Sequence, residues 1–141
     1  MIETIRSEQE MQAFGERLGA RLVGGSVVEL IGDVGAGKTT LTRGIAQGLG
    51  VEETVQSPSF TLNRVYDASA QRQLVHYDFY RLGDAGILAD ELADTMGRSD
   101  TITIIEWADI VEGVLPDDRI VISITSPSET ERAVTVKGIS V

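Results

Sequence analysis

Eight consecutive residues, Gly32-Asp33-Val34-Gly35-Ala36-Gly37-Lys38-Thr39, bring three glycines, one lysine and one hydroxyl side chain together. Glycines at such positions permit backbone angles that turn successive N–H groups toward one point, forming a nest for phosphate oxygens. The lysine adds a mobile positive charge for β- and γ-phosphates, and the hydroxyl that follows it can ligate Mg²⁺. The spacing is G-x-x-x-x-G-K-[ST], a phosphate-binding loop when a strand precedes it and a helix follows. Typical residue frequencies give a chance match in a chain of this length odds of about 0.5%, which leaves little room for a coincidental Gly-rich turn. Asp33, Val34, Gly35, Ala36, Gly37, Lys38, Thr39 and Thr40 are therefore the expected nucleotide-binding set for ATP or GTP with Mg²⁺. The Asp33 side chain is expected to point away from the phosphates.

Such a loop works with a carboxylate at the end of a second buried strand, linked to Mg²⁺ directly or through water. Ile102-Thr103-Ile104-Ile105-Glu106 has that form, an apolar run ending in an acid. A second acid, Asp78, shares a strand face with His76 and Tyr80 by period two, opposite Val75, Tyr77 and Phe79. Asp78 is expected to assist the metal or to orient an attacking water, with pairing to Arg81 or Arg64 as the structural alternative. His76, the only histidine, reads as a hydrogen-bonded structural residue rather than a proton carrier. Trp107 is either core or a wall near the nucleotide. Ser59 and Thr61 lie between the loop's helix and the next strand, where a hydroxyl can sense the γ-phosphate.

The elements that must position these groups follow from periodicity. Ser7 and Glu10 have capping-box spacing, and Met11, Phe14, Leu18 and Leu22 share one helical face, predicting a helix over Ser7 to Leu22. Val27 to Ile31 reads as a buried strand, with Glu29 as an irregularity implying a partly open face. A helix from Gly37 to Leu49 ends at Gly50. Phe60 to Tyr66 and Leu74 to Tyr80 predict an antiparallel pair separated by the polar stretch Asp67 to Gln73. A short helix carries Ile87, Leu88, Leu92 and Met96; Thr101 to Trp107 is another buried strand. After a turn at Pro116-Asp117-Asp118, Ile120, Ile122 and Ile124 alternate, as do Val134 and Val136, predicting a closing hairpin. The whole, residues 1–141, reads as one mixed α/β domain.

Composition narrows the partners. With 42% apolar residues the chain can build one core, and with no cysteine it has no disulfide or thiol chemistry. No apolar run approaches the length of a membrane span. The segment Met1 to Glu10 lacks an apolar leader, so the cytoplasm is the expected compartment. Twelve basic against 22 acidic residues give a net charge of −10, which repels phosphodiester backbones and argues against extended contact with DNA or RNA. The same charge serves simple solubility, or would attract a basic partner protein.

Taken together, GDVGAGKTTLTRGI from Gly32 to Ile45, SPSFTL from Ser57 to Leu62, HYDFYRL from His76 to Leu82 and IEW from Ile105 to Trp107 resemble the TsaE (YjeE) family of small bacterial ATPases. The order and spacing agree over about Met11 to Ile124, and the combination is more specific than the loop alone. The resemblance implies a P-loop NTPase-like three-layer sandwich, a central mixed β-sheet flanked by helices. It also implies an Mg²⁺-dependent ATPase that supports a partner transferase assembly (TsaB/TsaD-like) making threonylcarbamoyladenosine on tRNA, with tRNA met only through those partners. Carried over by position, Lys38 and Thr39 bind phosphate and Mg²⁺, Asp78 and Glu106 are the metal-site and water-orienting acids, and Trp107 belongs to the same site. Ser59 departs from the Thr more usual there but keeps the hydroxyl.

Two other readings compete with hydrolysis. A small-molecule kinase needs an acceptor pocket and an Arg-bearing lid, and no Arg cluster follows Glu106. A non-hydrolysing, nucleotide-gated binding module would not need Glu106. No N-K-x-D motif for reading guanine is present, which favours ATP. Arg43, Arg64 and Arg81 are the internal candidates for an arginine finger; none is an obvious one, so slow turnover alone and faster turnover with partners are expected.

Overall fold

The computed structural model describes residues 2–33, 35–56, 63–80, 82–83 and 86–140. Its element order is β1 (Ile2–Ile5), α1 (Glu8–Arg21), β2 (Val27–Ile31), α2 (Lys38–Gly48), β3 (Asn63–Ala68), β4 (Arg72–Asp78), α3 (Leu88–Met96), β5 (Thr101–Glu106), a 3₁₀ helix (Ala108–Val114), β6 (Ile120–Thr125) and β7 (Arg132–Lys137). The seven strands form one sheet in the order β1-β7-β6-β2-β5-β4-β3. β6, β2, β5 and β4 run parallel, while β1, β7 and β3 pair antiparallel at the two margins. The sheet is mixed, as expected.

Period-two alternation assigns each strand face to one layer of core. Val28 and Leu30 of β2, Ile102 and Ile104 of β5, and Ile120, Ile122 and Ile124 of β6 pack with Met11, Phe14 and Leu18 of α1 and Leu41, Ile45 and Leu49 of α2. Val27, Val75, Tyr77 and Ile105 face the other way, against Leu92 of α3 and Ala108 and Val111 of the 3₁₀ helix. Three layers result. Glu29 lies on this second face, yet it is buried: the Arg119 guanidinium reaches it, Nε to Oε1 at 2.8 Å. A carboxylate in that position is tolerated because it is paired.

The N-cap forms as the sequence predicts, with Ser7 Oγ accepting from the Glu10 amide at 3.0 Å. Two features were not legible. β1 alternates over four residues only, and its existence depends on β7, more than a hundred residues away. The hairpin between β3 and β4 is tighter than the polar stretch implies, because its turn is centred on Ala70 and Gln71 at φ 60° and 59°. Neither residue is the Gly or Asn that normally marks such a turn. Residues 57–62, on which the N-terminal part of the expected Phe60 to Tyr66 strand falls, lie outside the described residues.

Helices α1 and α2 approach to backbone contact. Gly15 and Gly19 on α1 face Gly44 and Gly48 on α2, and a Cβ on Gly19 would meet the Ile45 carbonyl oxygen. No side-chain rearrangement relieves a clash with backbone, so Gly19→Val should lower stability by about 1–3 kcal/mol in denaturant unfolding. Gly113→Ala, where an added methyl meets nothing within 4 Å, should leave the midpoint nearly unchanged.

Candidate active site

Parallel strands of an open α/β sheet present their ligands at the carboxyl edge. Here β2, β5 and β4 are neighbours there, and the register sets Glu106 beside both Leu30 of β2 and Asp78 of β4. The loop leaving β2 turns through Gly35 at φ 84° and Gly37 at φ 108°, angles that disfavour any side chain. Gly37 caps α2 with no side-chain hydrogen bond, and the first turn holds no acid. The first-turn amides therefore remain available to an anion, with the helix dipole behind them.

Two side chains, Glu106 and Trp107, meet Lys38, which is only 7% exposed. Its Nζ lies 3.5 Å from Glu106 Oε1 and 4.1 Å from the Trp107 ring centroid. The second Glu106 oxygen, Oε2, takes a hydrogen bond from His76 Nε2 at 2.5 Å. Trp107 follows β5 with φ 56° and ψ 51°, a left-handed conformation costing about 1–2 kcal/mol for a residue with a Cβ. That conformation accompanies an indole face set over the ammonium, where Tyr80 packs against it at 4.9 Å between ring centroids. Asp78, half-buried, accepts from the Tyr80 amide at 2.9 Å.

The two acids differ electrostatically. Burial alone would push the Glu106 carboxyl up, but the hydrogen bond from His76 and the charge of Lys38 outweigh it and hold the carboxyl below its ordinary value. Asp78 is raised, chiefly by burial and further by the Glu106 charge, with the Tyr80 amide opposing.

Lys38, Thr39, Thr40, Asp78, Glu106 and Trp107 line one cleft of about 400 Å³. A second cleft of about 310 Å³ shares Glu8, Gly35, Gly37 and Thr40 with it, and runs between the start of α1 and the β6–β7 loop. Asp33 is exposed and gives its carbonyl to the Ala36 amide at 3.0 Å. Arg43 instead binds the Val55 carbonyl at 3.3 Å, and Arg64 is exposed on the marginal strand β3; neither lines the clefts. Val34, Ser59, Thr61 and Arg81 lie outside the described residues. The sequence reading missed the Tyr80–Trp107 contact and the His76–Glu106 bond; it ran the strand on to Tyr80, whereas β4 ends at Asp78 and Tyr80 lies in the turn that Asp78 closes by accepting its amide.

The depressed Glu106 carboxyl has a consequence for the nucleotide-free protein. Its ionised form stabilises the fold above the unfolded value near 4.5, and that contribution is lost as pH falls through the lower folded value. The stability difference between the wild type and Glu106→Gln, followed by urea unfolding from pH 7 downward, should shrink only below about pH 4.5.

Comparison with known proteins is consistent with this arrangement. The family described as "Threonylcarbamoyl adenosine biosynthesis protein TsaE" matches residues 5–134. A tRNA threonylcarbamoyladenosine biosynthesis protein TsaE of Streptomyces coelicolor is 37% identical over 92% of this chain and 90% of its own length. The Bacillus subtilis protein of that name is 35% identical over 93% of this chain and 81% of its own. The crystal structure of Bacillus subtilis YdiB superposes with a TM-score of 0.77 at 31% identity, covering 96% of this chain and 83% of the other. A family match over nearly the whole chain, relatives of similar length and a shared fold agree: this chain belongs to the TsaE family of threonylcarbamoyladenosine biosynthesis proteins.

Proposed function

We propose that the protein binds ATP with Mg²⁺ and hydrolyses it in support of a TsaB/TsaD-like transferase assembly that makes threonylcarbamoyladenosine on tRNA. The observation that carries the ATPase reading is the convergence of Lys38, Glu106 and Trp107 at the uncapped start of α2. Family membership carries the pathway.

The two adjoining clefts suit the two ends of a nucleotide. Phosphates belong over the Gly35–Thr40 amides, where Lys38 supplies charge as it develops on the γ-phosphate. The nucleoside extends past Gly37 into the cleft beside α1. Among the described residues no group of three or more His, Cys, Asp or Glu is gathered for a metal. Thr39, Asp78 and Glu106 nevertheless offer hard oxygen donors in one cleft, a set suited to Mg²⁺, which keeps water and phosphate oxygens as its remaining ligands. When bound there, Mg²⁺ would neutralise charge on the β- and γ-phosphates. Glu106, ionised at neutral pH, and Asp78 are the acids available to hold that metal and to orient an in-line water. No arginine among the described residues lines the phosphate cleft, which favours a partner supplying the missing charge. A net charge of −10 suits a protein that meets tRNA through partners.

Glu106→Gln should keep nucleotide binding, read from the fluorescence of the single tryptophan, while lowering kcat about 100-fold or more. Support of the transferase assembly left intact in Glu106→Gln would instead favour a non-hydrolysing, nucleotide-gated module. With ATP and cytoplasmic metabolites, ADP release should equal free phosphate; ADP in excess of phosphate would reveal a kinase. A pull-down should recover transferase proteins with a non-hydrolysable ATP analogue and not without it, and adding those proteins should accelerate phosphate release.

A further inference from the structure

Both oxygens of Glu106 are occupied, but by partners of different kinds. Lys38 reaches Oε1 at 3.5 Å from the phosphate loop, on a flexible stem at the cleft wall. His76 reaches Oε2 at 2.5 Å from within β4, where it is 1% exposed and its strand is paired on both sides. A phosphate group can draw the lysine away; it cannot move the histidine without opening the sheet.

We infer that His76 is a positioning residue: it pins Glu106 Oε2 so that arrival of the γ-phosphate, by withdrawing Lys38, frees Oε1 alone toward the cleft. The inference rests on the hydrolysis reading and adds to it which oxygen acts and what fixes it. A carboxylate held at one oxygen loses the torsional freedom that would otherwise spread it over several orientations, so less ordering remains for the reaction.

The other ring nitrogen argues against proton transfer. His76 Nδ1 is buried with no hydrogen-bond partner among the described residues. A proton placed there would leave an unsatisfied buried donor, so the arrangement consistent with the hydrogen bond carries the proton on Nε2. Among the described residues no hydrogen-bonding group adjoins Nδ1 to receive or deliver a proton. Packing does not require an imidazole either, since Leu74, Ile102 and Ile104 fill the same layer.

The test uses three replacements. His76→Gln keeps an N–H near the position of Nε2, whereas His76→Leu and His76→Asn do not. The expected result is a kcat reduced about 10- to 100-fold in Leu and Asn, with affinity for a non-hydrolysable ATP analogue kept within about twofold and most of kcat recovered in Gln. Wild-type kcat in a folded Leu or Asn variant, or a Gln variant as slow as they are, would overturn the inference. So would lost affinity and thermal stability at unchanged kcat, the signature of a merely structural histidine.

A second measurement needs no variant at position 76 and no turnover. The protein has one histidine, so its ring nitrogens are assigned unambiguously by ¹⁵N NMR. The Nε2–H signal should be present, persist when the ATP analogue and Mg²⁺ are added, and shift in Glu106→Gln. Its loss on nucleotide addition, or a proton found on Nδ1 alone, would overturn the pinning even if the position-76 variants fail to fold. If the wild type releases no phosphate while this signal behaves as expected, the hydrolysis reading fails and the pinned carboxylate stands.

Discussion

A carboxylate that is 4% exposed and held in its ionised form is the constraint around which this molecule is arranged. Burying such a charge is costly unless each oxygen finds a donor. The donors come from two separate elements, His76 from β4 and Lys38 from the start of α2, while Glu106 itself ends β5. Satisfying one acid therefore requires β4 and β5 to be parallel neighbours in one register. It also requires β2 to deliver its loop and helix to the same edge, and the strand order does all of this.

The rest of the fold reads as support for that convergence. α2 has to lie where its first amides face the cleft, and the glycines at 15, 19, 44 and 48 let α1 press against it at backbone distance. Trp107 stands in a conformation that an L-residue adopts at a cost. What offsets that cost is visible in its contacts: the ring packs on Tyr80 and covers the Lys38 ammonium, an interaction on the order of 1–2 kcal/mol when desolvated. Strain at the exit of β5 and the placement of the lysine are thus two sides of one arrangement.

The two faces of the sheet divide the labour. The face under α1 and α2 carries the larger apolar core, with residues from β3 to β7, and the buried His76–Glu106 pair lies on it. The opposite face carries a smaller core under α3 and the 3₁₀ helix, and where that cover thins, the Glu29–Arg119 pair fills the place of an apolar contact. The solved structure of Bacillus subtilis YdiB shares this chain's fold.

Local sequence determined a good deal here. The strand-to-helix order around the Gly35–Gly37 turn, the Ser7 cap, the core stripe of α1, the buried run of β5 with its terminal acid and the closing hairpin all follow from spacing alone, because a glycine turn, a helical face or a strand's alternation is written in neighbouring residues. Tertiary structure decided what depends on distant partners. β1 exists only because β7 accepts it; Glu29 is buried only because Arg119, ninety positions on, reaches it; the Ala70–Gln71 turn is imposed by the strands it joins. Most of all, the sequence marked Asp78 and Glu106 as candidates and His76 as a hydrogen-bonded structural residue, but could not join the histidine to Glu106. That bond spans thirty residues and two strands, and its length is set by sheet register, a property no local pattern encodes.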